Sequence, residues 1–181
     1  MESHAGAGPV SAYNAKTRAG FSGVRSLRYA GRHTSPGRGF SYNKVLAVDE
    51  RVEKDTELSY RIFPEFEDGD LRYPSTYVTL DLRFSDGTYL SDLPAHDQYG
   101  NPASPAGQGA SKRLSTNQWN DVSVDVGAVA AGKTVERVLV AYDGPKGPAD
   151  FHGWVDDVSL AAPRKTSTDA LAHPSDWVNT L

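Results

Sequence analysis

The sequence predicts an all-β protein with a jelly-roll β-sandwich, and three observations support this. Short segments in which apolar and polar residues alternate recur along the 181-residue chain, as expected for strands that bury one face. Glycine and proline turns separate these segments at close spacing. Between residues 112 and 160 no helix of normal length fits the pattern, apart from a short turn at 126–131. The total of about eight to ten strands suits a jelly roll.

The strands are predicted in order from local alternation. The pattern begins at Val24, and residues 31–39 carry turn chemistry between the first two extended segments. In 76–85 every second residue is apolar, and Asp86-Gly87 then reverses the chain into 88–90, which predicts a β-hairpin. The predicted strands are 24–29, 40–48, 56–63, 76–85, 88–90, 112–114, 119–126, 135–142 and 153–160.

The segments between and around these strands differ in composition. Residues 94–109 are rich in glycine and proline without an apolar period, which predicts an exposed loop that is unusually long for a compact domain. Residues 1–20 lack a sustained period and are expected to form an irregular lead-in. We therefore expect one β-sandwich domain at 21–162, followed at 163–181 by a linker and the start of a further unit.

Composition disfavours two classes of partner. The formal net charge is −4, whereas proteins that bind phosphate backbones concentrate lysine and arginine on one surface. No apolar run approaches the roughly 20 residues that span a bilayer. We expect neither a nucleic-acid partner nor a membrane. The chain has no cysteine, which excludes disulfides and thiolate metal sites within it.

The segment from Trp154 to Leu160 contains a carboxylate at an alternating apolar position. If Trp154, Val158 and Leu160 face the core, Asp156 points inward as well. A buried carboxylate is too costly to keep without a partner. Two explanations stay open, a structural calcium ion bound by hard oxygen ligands and a hydrogen-bonded carboxylate without an ion. Asp156 is therefore the candidate metal ligand, and calcium the candidate cofactor.

Five segments resemble one enzyme family. They are Tyr29–Thr34, Glu57–Glu65, Asp86–Leu93, Gly153–Asp157 and the tail His173–Leu181. The first four are similar to the module that precedes the catalytic region in actinobacterial members of glycoside hydrolase family ninety-two, the calcium-dependent exo-acting α-mannosidases. The tail resembles the opening residues of that catalytic region, although the chain stops before the Gly-Thr that follows in the family.

The resemblance implies an N-terminal accessory module with a galactose-binding-domain-like sandwich. Residues 163–181 would then hold a linker and the first residues of a truncated catalytic domain. The family's catalytic acid, base and calcium ligands would all follow Leu181, so we assign no catalytic residue. The implied partners are a mannose-containing glycan and a catalytic domain in the same polypeptide, and the implied location is extracellular, as a secreted enzyme.

Sugar-binding sandwiches combine aromatic rings, which stack on pyranose faces, with amides and carboxylates that bind hydroxyl groups. Six residues in loops and at strand ends offer this chemistry, and each could instead serve packing at the rim of the core. The candidate ligand-binding residues are Tyr73, Asp97, Gln98, Tyr99, Asn117 and Trp119. A second candidate surface is a shallow groove on the polar faces of the strands, and its alternative is cross-strand ion pairing on a solvated sheet. It would consist of Ser59, Arg61, Tyr77, Asp81 and Arg83.

The sequence thus predicts a non-catalytic carbohydrate-binding module that targets a secreted α-mannosidase to its glycan. Two alternatives stay open. The domain could pack against the catalytic region without binding sugar, or it could be a small stand-alone enzyme with a jelly-roll active site.

Overall fold

Two antiparallel sheets face each other across one hydrophobic core. The computed structural model describes residues 2–3, 7–16 and 25–162. Within these residues one sheet has the strand order β1-β4-β8-β6 and the other β2-β3-β9-β5-β7. The strands are β1 (Glu2–Ser3), β2 (Ala7–Lys16), β3 (Arg25–His33), β4 (Gly39–Arg51), β5 (Glu57–Pro64), β6 (Val78–Phe84), β7 (Asn120–Asp125), β8 (Thr134–Gly144) and β9 (Ala149–Ala161). The predicted all-β sandwich is confirmed.

The core forms because alternate residues of each strand point between the sheets. In β5, Leu58, Tyr60 and Ile62 are each at most 3% exposed, as their alternation predicts. Across the core, Tyr142 of β8 stacks on Phe151 of β9 with ring centroids 3.7 Å apart. Burying a large apolar side chain contributes about 1.5 to 3 kcal/mol, and this pair joins the two layers directly.

Short helical segments occupy the connections between strands. They are the α-helices α1 (Pro105–Ser111) and α2 (Gly127–Ala130) and the 3-10 turns Pro74–Thr76 and Leu90–Asp92. The helix α2 lies in the predicted short turn at 126–131. None of the helices in the described ranges is long and apolar enough to cross a membrane.

The helix α1 corrects the prediction for residues 94–114. Its N-cap Ser104 accepts a hydrogen bond from the Gly107 N–H at 3.2 Å, and Pro105 occupies the first turn, where its missing N–H costs nothing. Lys112 ends the helix in a left-handed conformation with φ 55°. The predicted strand at 112–114 is therefore wrong, and the loop at 94–109 includes the start of a helix.

A bulge in β9 corrects the predicted orientation of Asp156. Arg61 of β5 pairs with Asp156 and Ser59 pairs with Ser159, so β9 contains one extra residue between these pairs. Asp157 absorbs it with φ 49°, and the bulge shifts the alternation by one position. Val155 is 1% exposed and faces the core, whereas Trp154 and Asp156 are half-buried on the outer face. The prediction that Trp154 and Asp156 point inward is therefore wrong.

The hairpin at 86–87, the N-terminal residues and the C-terminal tail were also predicted from the sequence, with different outcomes. The Asp86-Gly87 hairpin forms, with Gly87 at φ 87°, but its return arm is limited to a bridge between Arg83 and Tyr89. Within the expected irregular lead-in, residues 2–3 and 7–16 form β1 and β2. The tail at 163–181 lies outside the described residues, so its interpretation stays a prediction.

Candidate functional site

A groove of about 600 Å³ opens at one end of the sandwich. Three segments that are distant in sequence form its walls: the turn at 71–77, the chain after α1 at 112–116, and the end of β8 with residues 145–146. Leu71, Tyr73, Tyr77, Lys112, Thr116 and Lys146 are among the lining residues. The volume lies in the range of sites that enclose small ligands.

Tyr73 projects from the turn before β6 and presents its ring at the groove. Its backbone is left-handed, with φ 54°. Its carbonyl oxygen accepts hydrogen bonds from the N–H of Thr76 at 3.0 Å and from the Thr76 hydroxyl at 2.8 Å, and Pro74 begins the 3-10 turn. The ring contacts Phe66, with centroids 5.6 Å apart, and Tyr73 stays 43% exposed. The turn thus holds an aromatic side chain that a ligand can cover.

A close contact between α1 and Tyr77 shapes the opposite wall. A Cβ atom at Gly109 would lie 2.2 Å from Cδ1 of Tyr77, which is far below van der Waals contact. Glycine at this position therefore lets the helix approach the Tyr77 ring. Both residues line the groove, so its shape depends on this packing.

Arg72 ties two walls of the groove together. Its Nε lies 2.7 Å from Oδ1 of Asp70, and its Nη2 lies 2.5 Å from Oδ2. This bidentate pair holds the pKa of Asp70 below its ordinary value because it favours the charged carboxylate. The same Nη2 donates to the carbonyl oxygen of Pro148 at 2.8 Å. The turn at 71–77 is thereby fixed to the segment after β8.

Of the six predicted ligand-binding residues, Tyr73 lines the groove, and Asn117 and Trp119 lie beside it. Oδ1 of Asn117 accepts from the Phe66 N–H at 2.9 Å, so this amide supports the segment that carries the neighbour of the Tyr73 ring. Trp119 packs edge-on against Phe63, with centroids 5.5 Å apart. Asn117 therefore supports the groove through Phe66, and neither Asn117 nor Trp119 is among the residues that line it.

The other three predicted residues lie in the loop that covers the edge strand β7. Asp97 is 7% exposed and accepts hydrogen bonds from the N–H groups of Tyr99 and Asn101 and from the Gln108 amide. Burial alone would raise its pKa, but these donors outweigh burial and hold the pKa below its ordinary value. The Nε2 atom of Gln98 donates to the carbonyl oxygen of Asp121 in β7, and its Oε1 accepts from the N–H of Ser123, at 2.8 Å each.

Tyr99 differs from these two neighbours because its side chain stays accessible. It is 55% exposed, and the guanidinium carbon of Arg113 lies 3.8 Å from its ring centroid. Asp97 and Gln98 therefore use their polar groups to close the loop, whereas Tyr99 presents a ring with an adjoining cation. Ligand contact by this loop stays a prediction.

Asp156, the predicted metal ligand, accepts a hydrogen bond from the Asp157 N–H at 2.8 Å. Among the described residues no group of three or more His, Cys, Asp or Glu side chains is arranged to hold a metal ion. The donor set around Asp156 does not by itself form a calcium site. Calcium at Asp156 therefore stays a prediction.

The predicted groove along the polar strand faces does not form as one surface. Ser59 and Arg61 belong to β5, whereas Asp81 and Arg83 belong to β6 in the other sheet. The outer faces of the two sheets point in opposite directions, so these side chains cannot line one groove. Arg61 pairs instead with Asp121 and Asp157.

Comparison with known proteins supports the fold. No family model matches the sequence, and no curated protein matches it. A solved structure of a carbohydrate-binding module from the β-sandwich superfamily, described as having promiscuous specificity, is similar with a TM-score of 0.52 at 13% identity. The glycoside hydrolase domain of Endo-D, Spr0440, from Streptococcus pneumoniae R6 is similar with a TM-score of 0.54 at 15% identity.

The similarity spans most of this chain but only part of those structures. It covers 84% of this chain and 53% of the carbohydrate-binding structure, and 86% of this chain and 20% of the Endo-D structure. The chain therefore has a β-sandwich fold that also occurs in a carbohydrate-binding module and within a glycoside hydrolase structure.

Most of the residues that line the groove could not be predicted from the sequence. The sequence predicts Tyr77 on the polar strand surface and gives no local reason to expect Leu71, Lys112 or Lys146 in a site. Their spacing in sequence carries no local signal, because the groove forms only when α1 packs on the turn before β6. The one available signal was the exposed-aromatic chemistry that identified Tyr73.

Proposed function

We propose that this chain is a non-catalytic carbohydrate-binding module that holds a mannose-containing glycan in the groove at 71–77, 112–116 and 142–146. The observation that carries the proposal is the Tyr73 ring, held at the groove by its own turn and 43% exposed. A pyranose ring has an apolar face that stacks on such a ring, and its hydroxyl groups bind nearby polar atoms. Ser115 and Thr116 supply hydroxyl groups in the lining.

The similarity of fold supports the same proposal. One structure with this sandwich is a carbohydrate-binding module, and another contains a glycoside hydrolase domain. A fold hosts many functions, so the groove rather than the fold is the main argument. The similar structures are described as a carbohydrate-binding module and a glycoside hydrolase domain, and these descriptions agree with a saccharide as the proposed ligand.

The finer parts of the proposal rest on the sequence resemblance. We infer a secreted α-mannosidase as the parent protein, with the catalytic domain in the same polypeptide. A weakly binding module raises the effective concentration of glycan near a tethered active site without taking part in bond cleavage. Under this proposal the module increases activity on polymeric glycan and leaves activity on a small soluble substrate unchanged.

Calcium at Asp156 belongs to the proposal as an independent element, and the saccharide groove does not require it. A bound calcium ion stabilises the folded state by mass action. We expect millimolar calcium chloride to raise the melting temperature of the wild type but not of Asp156→Asn. Identical melting curves in calcium and in EDTA would remove calcium from the account.

Titration calorimetry with mannooligosaccharides tests the groove. The exposed 43% of Tyr73 corresponds to about 90 Å² of a tyrosine-sized side chain, and covering it contributes at most about 2 kcal/mol. We expect Tyr73→Ala to weaken binding about tenfold and Tyr73→Phe, which keeps the ring, to bind like the wild type. Equal affinity of wild type and Tyr73→Ala would exclude this site.

The same titrations separate the remaining alternatives. A wild-type chain that binds no glycan on an array, while its deletion from the full enzyme lowers solubility or activity, would indicate a domain that docks without sugar. Release of sugar by the isolated chain would indicate a stand-alone enzyme. Either result would overturn the proposal.

A further inference from the structure

The groove carries positive charge on a protein that is negative overall. Its lining includes Arg72, Lys112 and Lys146, and none of the described residues that line it is an aspartate, glutamate, asparagine or glutamine. The chain as a whole has a formal net charge of −4. A concave surface lined by one sign of charge concentrates ligands of the opposite sign. The groove is thus locally suited to an anion.

The three cations are not equivalent. Arg72 is already paired with Asp70 through two hydrogen bonds, so its charge is largely compensated. Among the described residues, neither Lys112 nor Lys146 takes part in an ion pair, and both are exposed. Two ammonium groups from different walls are therefore available to a ligand.

The backbone fixes where both lysines enter the groove. Lys112 is the C-cap of α1, and its N–H donates to the Gly109 carbonyl oxygen at 3.3 Å. Lys146 follows β8 in the segment that Arg72 anchors through the Pro148 carbonyl oxygen. Next to Lys112, Arg113 stacks on Tyr99 and extends the positive surface beyond the groove.

The lining chemistry matches an acidic sugar better than a neutral one. Hydroxyl groups of neutral sugars donate hydrogen bonds as well as accept them, and carboxylates and amides are the usual side-chain acceptors. Among the described lining residues neither is present, and the neutral side-chain acceptors are hydroxyl groups such as those of Ser115 and Thr116. Lysine, in contrast, only donates and binds anionic oxygen atoms most strongly. An acidic substituent beside a pyranose ring would satisfy both lysines while the ring stacks on Tyr73.

We propose that the groove selects saccharides that carry an acidic substituent, with Lys112 and Lys146 as the residues that determine this preference. The shared chemistry is an anionic oxygen group, a carboxylate or a sulfate ester, on a sugar whose apolar face covers Tyr73. This inference rests on the proposed saccharide-binding function of the same groove and specifies its ligand class.

Calorimetry with matched oligosaccharides tests the inference. The probes are a β-1,4-linked oligomannuronate, the neutral β-1,4-mannooligosaccharide of the same length, and a sulfated form of the neutral chain. The proteins are the wild type, Lys112→Ala, Lys146→Ala, the double variant, and Lys54→Ala as a control, because Lys54 is an exposed lysine outside the groove.

We expect the wild type to bind the acidic chains more tightly than the neutral chain. Each lysine substitution should weaken acidic binding about fivefold, the effect of an exposed charge pair of about 1 kcal/mol, and the double variant should lose most of the preference. Neutral binding and the Lys54→Ala control should stay unchanged. Raising the sodium chloride concentration should weaken only the acidic chains, because salt screens exposed charges.

The outcomes separate this inference from the proposed function. Equal wild-type affinity for acidic and neutral chains, or a preference that persists in the double variant, would overturn the acidic selectivity and leave saccharide binding intact. Absence of binding to every chain would overturn both. Binding of only the carboxylate or only the sulfate form would support the inference and identify the source of the charge.

Discussion

Asp81 is a buried carboxylate whose replacement by asparagine is predicted to stabilise the protein at neutral pH. It is 2% exposed on β6 and accepts hydrogen bonds from the Leu82 N–H at 2.7 Å and from the hydroxyl and N–H of Ser91 at 2.5 and 3.1 Å. Burial raises its pKa to about 6, although these hydrogen bonds oppose the change. Burial dominates because it penalises the charged form.

The pKa difference sets both the sign and the size of the effect. The folded state holds the proton of Asp81 more tightly than the unfolded chain, whose ordinary pKa is 3.8, so the folded state is favoured at low pH. This contribution is fully present below about pH 4 and is lost as the pH rises through about 6. The difference corresponds to about 3 kcal/mol. Asparagine has nearly the same shape and no charge, so it should avoid this loss.

Urea unfolding of wild type and Asp81→Asn at several pH values between 4 and 8 measures the effect. The unfolding free energy of the variant minus that of the wild type should rise with pH, by about 2 kcal/mol between pH 4 and pH 7. Asp49→Asn, an exposed carboxylate on β4, controls for the loss of one negative charge. A difference that does not change with pH, or that falls as the pH rises, would refute the reasoning.

Two further substitutions test the packing around the groove and its neighbouring loop. Gly109→Ala should lower the unfolding free energy by about 1 to 2 kcal/mol, because the clash with Tyr77 costs more than the gain in helix propensity. Ala110→Gly, on the exposed side of α1, measures the propensity effect alone. A Gly109→Ala variant that is more stable than the wild type would contradict the close contact with Tyr77. Gln108→Ala should lower the unfolding free energy by about 1 to 3 kcal/mol, and so also the urea midpoint, because it removes a hydrogen-bond donor from buried Asp97. An unchanged midpoint would show that this hydrogen bond does not hold the loop.

The fold class could be predicted because its signals are local. Alternation in β5 and β6 identified which residues face the core, and Asp86-Gly87 marked the hairpin because glycine readily adopts its φ of 87°. The orientation of Trp154 and Asp156 could not be predicted. A single extra residue in β9, defined only against β5, reverses the alternation.

The site was predicted less completely than the fold. Tyr73 could be identified because an aromatic residue before a proline turn suggests an exposed ring. The groove itself requires α1, which is too short and too rich in glycine and alanine to show an apolar period. Lys112 and Lys146 gain their meaning only from the packing of this helix. Asp97 and Gln98 had the chemistry of ligand-binding residues, but their polar groups bond within the loop.

The most direct test of the central claim is a titration of the ¹⁵N-labelled chain with a mannooligosaccharide and, separately, with the oligomannuronate of the same length, followed by amide chemical shifts. The account predicts that the perturbed amides cluster at residues 71–77, 109–116 and 142–146, which form the groove. Perturbations confined to the loop at 97–101, or spectra that do not change at saturating ligand, would contradict it.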